Sequence, residues 1–126
     1  MNREIKFRVF GNSGIMKNWE VLKQLHVGTV FQNADGYNVM QYTGLKDRNG
    51  KEIYEGDIIR VSNNGVFIGN CEIVWKGCGF WFKDIDFTSD TYENLFVYDQ
   101  CGYELEVIGN IYENPELLKQ QEVKND

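Results

Sequence analysis

The sequence has few of the residues that support metal and nucleophilic chemistry. Histidine occurs once, at His26, and the three cysteines, Cys71, Cys78 and Cys101, form no closely spaced pair. A structural zinc site needs three or four such ligands, usually with close pairs among them. A serine or cysteine nucleophile would depend on His26 as its base. We therefore expect a protein that is not an enzyme, with no catalytic residues, no metal site and no cofactor.

Alanine and proline are just as scarce, with one of each, at Ala34 and Pro115. So little alanine argues against a mostly helical fold. Eight phenylalanines, seven tyrosines and three tryptophans favour strands, and 13 glycines supply the turns that join them. The length suits one domain over residues 1–126, in which we expect residues 119–126 to form a frayed tail.

Long apolar runs are also missing. No run approaches the length of a membrane span, and the start, MNREIKFRVF, is charged where a signal peptide has an apolar core. Three unpatterned cysteines are typical of reduced thiols in a cytoplasm. These features predict a cytoplasmic protein without a membrane partner.

Basic residues are outnumbered, 13 against 19 acidic ones, and none lies between Lys83 and Lys119. Nucleic-acid binding normally draws on clustered lysine and arginine, so we expect no nucleic-acid partner. The same stretch is rich in acids, which could meet a basic patch on a host protein or mimic nucleic acid. The residues that we assign to this acidic surface are Asp84, Asp86, Asp90 and Glu93.

What the chain does have is alternation of apolar and polar residues, the pattern of half-buried strands. It predicts strands at residues 5–9, 27–31, 37–42, 58–61, 66–75, 78–82, 92–98 and 103–108. Residues 43–50 are polar and turn-rich, residues 16–25 fit either a short helix or a strand with a loop, and the long stretch 66–75 could break near Gly69-Asn70. Asn49-Gly50 and Asn63-Asn64-Gly65 are strong signals for tight turns.

These elements predict a mainly β fold, α+β at most. We expect a small bent sheet or an SH3-like or OB-like barrel of antiparallel strands. Asn114 as N-cap and Pro115 at the first helical position predict a short C-terminal helix over residues 116–123. In the aromatic strand, Phe80 and Phe82 should face one side and Trp81 the other, so that one set is core.

Two groups of residues could bind a small molecule. Lys46, Arg48 and Lys51 surround a tight turn and could hold an anion through side chains and backbone amides. The alternative is that this loop only builds a hairpin and that its charges are solvated. Trp81 or Tyr54 could stack on the base of a nucleotide-type ligand.

The segment at residues 40–61, MQYTGLKDRNGKEIYEGDIIRV, resembles the signature of the YopX family, small proteins carried mainly by phages and prophages of Gram-positive bacteria. REIKFRVF at residues 3–10 and LEVIGNIYENPELL at residues 105–118 support the resemblance. The match is close over residues 41–58, with Arg48 in place of the usual lysine. Val9-Phe10-Gly11 departs from the Ala-Trp-Asp-like string common in the family.

The resemblance implies a small, largely β fold and a phage or prophage origin, it is compatible with self-assembly, and it supplies no catalytic residue. The signature could be a site or a folding element, in which Glu55 and Asp57, flanking Gly56, accept hydrogen bonds that pin the loop. We expect a non-enzymatic phage accessory protein, a homo-oligomer that binds a host protein. The alternatives are a protein that sequesters a nucleotide-type signal and a purely structural interaction module.

Overall fold

The structure, a computed structural model, describes residues 4–11, 14–24, 37–85, 92–94 and 99–118. Within these ranges the chain forms nine strands, all paired in sheets, and one helix of four residues; shorter helical pieces lie nearer the C-terminus. In chain order they are β1 (Phe7–Gly11), β2 (Met16–Lys17), α1 (Trp19–Leu22), β3 (Tyr37–Lys46), β4 (Glu52–Tyr54), β5 (Asp57–Asn63), β6 (Val66–Lys76), β7 (Gly79–Asp84), β8 (Tyr92–Asn94) and β9 (Glu104–Asn110).

The strands form two antiparallel sheets. One has the order β2-β1-β3-β4 and the other the order β8-β7-β6-β5-β9. The fold is mainly antiparallel β, with a sheet curled into a half-barrel and a short C-terminal helix, which confirms the predicted fold class. No helix in the described part of the chain is both long and apolar enough to cross a membrane.

The hairpin between β5 and β6 follows from its turn residues. Asn64 and Gly65 both have positive φ, 52° and 80°, the conformation that matches the twist of the flanking strands. The predicted break near Gly69-Asn70 is an irregularity in strand pairing and does not interrupt the strand. β6 continues through it, while its pairing with β5 shifts between Val61 and Ser62.

The prediction that strand structure ends at Tyr42 is wrong. β3 continues to Lys46, because a register shift against β4 between Tyr42 and Lys46 lets the strand bend without ending. Gly44 lies in this stretch with φ +91°, which a residue with a side chain rarely adopts. The tight turn itself begins only after Asp47.

The ambiguous stretch at residues 16–25 contains both elements. β2 is followed at once by α1, and the side chain of Asn18 caps the helix by accepting a hydrogen bond from the Val21 N–H at 3.0 Å. Near the C-terminus, residues 116–118 are helical. The predicted strand at 27–31 and residues 119–126, which include the end of the predicted C-terminal helix and the predicted tail, lie outside the described residues.

The core forms between the two sheets. Ile53 of β4 packs with residues of the five-stranded sheet, and Leu45 of β3 packs against this cluster. Each large apolar side chain buried in this way contributes about 2 kcal/mol. Phe80 and Phe82 are 4% and 1% exposed, so of the two predicted sets of aromatic side chains the phenylalanines are the core set. The remaining buried members of the cluster are Ile59, Val61, Ile73 and Leu105.

Candidate functional site

The loop between β3 and β4 is fastened to β9 by one buried carboxylate. Asp47 Oδ1 accepts hydrogen bonds from the backbone N–H groups of Asn49 at 2.9 Å and Lys51 at 2.8 Å, and Oδ2 accepts one from Val107 at 2.9 Å. Burial alone would raise the pKa of Asp47, but these three donors outweigh it and the pKa is lowered. Asp47 therefore builds the loop.

The three basic residues of this loop are exposed at its surface. Lys46 and Lys51 are exposed, and Arg48 forms an ion pair with Glu104 of β9 at 3.3 Å. Asn49 Nδ2 lies 3.4 Å from a carboxylate oxygen of Glu106. An anion that approached this loop would meet these two carboxylates, so the geometry favours the hairpin-building interpretation of the loop.

The two aromatic candidates lie in different surroundings. Tyr54 is 7% exposed, its ring lies 4.8 Å from the Arg8 guanidinium carbon, and its hydroxyl donates to Glu52 at 3.3 Å. Trp81 lines an open crevice of about 450 Å³ at the β6–β7 hairpin, and its indole N–H donates to the Lys76 carbonyl at 3.2 Å. Tyr54 and the three loop bases are not among the residues that line that crevice.

The predicted acidic surface is described only in part. Asp84 and Glu93 line a small cleft of about 80 Å³ beside β7 and β8. Asp86 and Asp90 lie outside the described residues. Elsewhere in the base-free stretch, Glu104 accepts a hydrogen bond from the Gly65 N–H at 2.9 Å as well as pairing with Arg48. That part of the acidity is balanced within the fold.

A different cavity brings acidic and aromatic side chains together. It has a volume of about 230 Å³ and is lined from both sheets, by β3 on one side and β6 on the other. We call it the inter-sheet pocket. Its lining includes Met40, Glu55, Glu72, Trp75, Ile111 and Tyr112.

Gly56 joins the elements that enclose the inter-sheet pocket. Its N–H donates to the Ile73 carbonyl of β6 at 2.8 Å, and its own carbonyl accepts from the Ile111 N–H, after β9, at 2.9 Å. Gly56 has φ +88°, and a Cβ at this position would lie 3.1 Å from Met40 Sδ and 3.7 Å from the Tyr112 ring. Both the backbone conformation and the close approach require glycine.

A buried ion pair holds the turn that carries Glu55. Asp57, whose side chain is 1% exposed, accepts from Arg8 at 2.7 Å and from the Tyr54 N–H at 2.8 Å. Arg8 also donates to the Glu55 carbonyl at 3.3 Å. Burial raises the pKa of Asp57, and the Arg8 guanidinium opposes that shift. The expectation that Asp57 pins this loop is confirmed, and Glu55 adds a longer contact, 3.4 Å, with the Gln41 N–H.

The inter-sheet pocket is electronegative. Burial raises the pKa of Glu55, against the Gln41 N–H and Arg8. Burial also raises the pKa of Glu72, where Lys83 opposes the shift and Glu55 adds to it. The pKa of Tyr112 is raised by burial and then by both carboxylates. The two carboxylates and the phenol therefore act on one another across the pocket.

Such a site can hold a cation. Two partly buried carboxylates offer charge-assisted hydrogen bonds, and the faces of Trp75 and Tyr112 can attract positive charge. A divalent metal is a poorer fit, because no group of three or more His, Cys, Asp or Glu side chains within the described ranges could ligate one. General acid–base chemistry would need a reacting group held within hydrogen-bond reach of a carboxyl.

Reasoning from the sequence missed Glu72 and Tyr112 as site residues and considered Trp75 only as part of an aromatic cluster. One signal was present, since Glu72 is the only acid in the strand VFIGNCEIVWK and is followed directly by the apolar Ile73, Val74 and Trp75. Its proximity to Tyr112 had no local signal, because the two residues are brought together by the Gly56 hydrogen bonds. Glu55 was considered only as a loop acceptor.

Comparison with known proteins gave three findings. The family described as YopX protein matches residues 4–119, a range that contains every residue of the inter-sheet pocket. No curated protein matches. Among solved structures, the crystal structure of protein EF1440 from Enterococcus faecalis is similar in fold. It is 23% identical, with a TM-score of 0.55, and the alignment covers 93% of this chain and 99% of that chain.

Proposed function

The chain belongs to the YopX family, and from this premise we propose that it is a non-enzymatic binding protein that holds a partner protein at the inter-sheet pocket. One observation carries the proposal. Glu55 and Glu72, from separate elements, line one cavity together with Trp75 and Tyr112. A concave site with aromatic walls and a few convergent polar groups is typical of recognition. Trp75 is 47% exposed, so a partner could reach its side chain.

The family resemblance supports a phage or prophage origin and a role in the cytoplasm of a bacterial host. The partner in this proposal is accordingly a host protein. Self-association is part of the proposal, since Val66, Phe67 and Ile68 are 66%, 45% and 46% exposed at the β5–β6 hairpin. Native mass spectrometry of the gently purified protein measures the subunit number, and a monomer at micromolar concentration would contradict self-association.

The test of the binding function is quantitative capture from host lysate. Tagged wild-type protein, Trp75→Ala and Ile15→Ala are compared, the last as a change of an exposed apolar side chain outside the pocket and outside the β5–β6 hairpin. We expect Trp75→Ala to reduce a specific captured protein about tenfold, as loss of a central aromatic anchor does, and Ile15→Ala to retain it. Equal capture by all three folded proteins would contradict binding at the pocket.

A small molecule at the Trp81 crevice is the second candidate function. The crevice volume of about 450 Å³ lies in the range of small-molecule sites, and Trp81 offers a face for stacking. A thermal-shift screen with nucleotides tests it. A ligand that raises the melting temperature of wild-type protein and of Trp75→Ala, but not of Trp81→Ala, would support this candidate. No shift with any nucleotide would count against it.

A further inference from the structure

We propose that the inter-sheet pocket receives one protonated lysine or arginine side chain of the partner. The inference rests on the binding function proposed above and names the chemistry of the group that is bound. Three properties of the pocket point to it: its charge balance, the nature of its walls and its size.

The charge balance leaves room for one cation. Glu55 and Glu72 both line the pocket. Of the cations near them, Arg8 is held by Asp57 at 2.7 Å in a buried pair that is neutral as a unit. Lys83 lies opposite Glu72 in the β6–β7 register and offsets one carboxylate. Among the charged residues that the structure describes, one negative charge at the pocket remains unbalanced, and one ammonium or guanidinium group would neutralise it.

The walls are set to accept such a group. The Tyr112 ring is stacked on Phe10, with centroids 5.3 Å apart, and Trp75 meets Phe80 edge-on at 4.8 Å. These contacts hold both rings in place, so a cation bound beside them would require little further ordering of the side chains. Apolar residues, among them Met40, Val74 and Ile111, also line the cavity, and the methylene stem of a lysine or arginine would lie against them.

The size restricts the occupant. A volume of about 230 Å³ lies below the usual range for drug-sized ligands, so one side chain is a better fit than a nucleotide. The carboxylates also repel phosphate. A basic side chain from a polypeptide satisfies charge, walls and size together.

The test uses blocked amino acids as probes and the Trp75 indole N–H as reporter. N-acetylarginine amide and N-acetyllysine amide are titrated into the full chain by NMR, beside their uncharged counterparts N-acetylcitrulline amide and Nα,Nε-diacetyllysine amide. We expect the Trp75 resonance to shift and approach saturation with at least one charged probe, and binding of the matching uncharged probe to be about tenfold weaker or absent. Glu72→Gln should weaken binding of the charged probe about tenfold as well, while Glu93→Gln, an equal change in net charge, should leave that binding unchanged.

Three results would overturn the inference: no Trp75 shift with either charged probe up to about 100 mM, equal binding of charged and uncharged probes, or unchanged binding by a folded Glu72→Gln variant. The chemical-shift spectrum of each variant reports its folding directly. If lysate capture still depends on Trp75 while the probes fail, the binding function stands and only the cationic occupant is wrong. If capture is independent of Trp75, the proposed function itself fails.

Discussion

At the scale of single residues, the partners of each carboxylate decide what it can do. Asp57 is buried and fully engaged by Arg8 and the Tyr54 N–H. Glu72 is only partly buried, and its nearest cation, Lys83, sits beside it in the sheet. The first is committed to the fold, since removing either partner leaves a buried charge, whereas the second can exchange solvent for a ligand.

Asp57→Asn should be among the most damaging conservative substitutions in the chain. It leaves the Arg8 guanidinium buried without a counter-ion, which costs about 3 kcal/mol of the free energy of unfolding. Urea denaturation measures this loss. Glu20→Gln removes an exposed ion pair with Lys23 and should change stability by no more than about 0.5 kcal/mol. A loss below about 1 kcal/mol for Asp57→Asn would contradict the structural role of the pair.

Gly56→Ala should destabilise the protein more than Gly44→Ala. Both positions have φ near +90°, so both substitutions incur about 1 kcal/mol of backbone strain. Only at Gly56 does the new Cβ press on Met40, at 3.1 Å, while at Gly44 nothing lies within 4 Å. Urea denaturation of the two variants isolates the contact, and equal losses would show that Met40 moves aside freely.

At the scale of elements, the family signature is a folding unit whose far end forms a wall of the pocket. Asp47 fastens the β3–β4 loop to β9, and Gly56 fastens the β4–β5 turn to β6 and to the turn after β9. Between these two anchors Ile53 enters the core. Glu55 is placed at the pocket by the same backbone geometry, so under the proposed function the signature would serve both as a folding element and as part of the site.

Asp47→Asn should cost about 2 kcal/mol at pH 7. The amide oxygen can still accept from one side, but the amide NH₂ would face a backbone N–H donor. The folded pKa of Asp47 lies below the ordinary value of 3.8. Its stabilisation is therefore complete above about pH 3.8 and is lost as pH falls through the folded pKa.

The measurement is urea denaturation of wild type and Asp47→Asn at pH 7 and near pH 3. The difference between the two proteins should narrow at the lower pH, and the titration of the other acids largely cancels in that difference. Glu116→Gln, at an exposed position, controls for the change in charge and should stay near wild type at both values. A gap that is constant with pH would contradict the role of the ionised carboxylate.

The elements that could be predicted from sequence are those with local causes. The Asn64-Gly65 hairpin follows from two residues that tolerate positive φ, and the aromatic alternation correctly separated Phe80 and Phe82 from Trp81, while the structure shows that the phenylalanines are the buried set. The extension of β3 was missed because a bulge depends on pairing with β4, which residues 43–46 do not reveal by themselves. The Asp47–Val107 bond joins residues 60 positions apart, beyond any local pattern.

At the scale of the whole molecule, the core and the pocket lie between the same two sheets but differ in the polarity of their side chains. The core cluster is apolar and excludes water, as around Ile53 and Ile73. A short distance along β6, the same interface encloses Glu55 and Glu72, where burial disfavours the charge that a ligand would need. Under the proposed function, the pocket keeps these carboxylates at some cost to stability.

Glu72→Gln should therefore stabilise the unliganded protein at neutral pH. The folded pKa of Glu72 is raised above its ordinary value of 4.5, so ionisation opposes folding and the penalty develops as pH rises from 4.5 through the folded pKa. Glutamine removes this ionisation penalty, and we expect the free energy of unfolding to rise by about 0.5 kcal/mol at pH 7. The gain lies at the low end for stabilising substitutions because Glu72 is partly exposed to solvent. The gain should vanish below about pH 4.5, where the wild-type carboxyl is protonated.

Urea denaturation at pH 7 and pH 4 measures the stability difference at both pH values, with Glu93→Gln as the exposed control. A Glu72→Gln variant that is less stable than wild type at pH 7 would mean that the carboxylate stabilises the fold. That result would contradict the proposal that this charge is kept in the pocket to bind a partner.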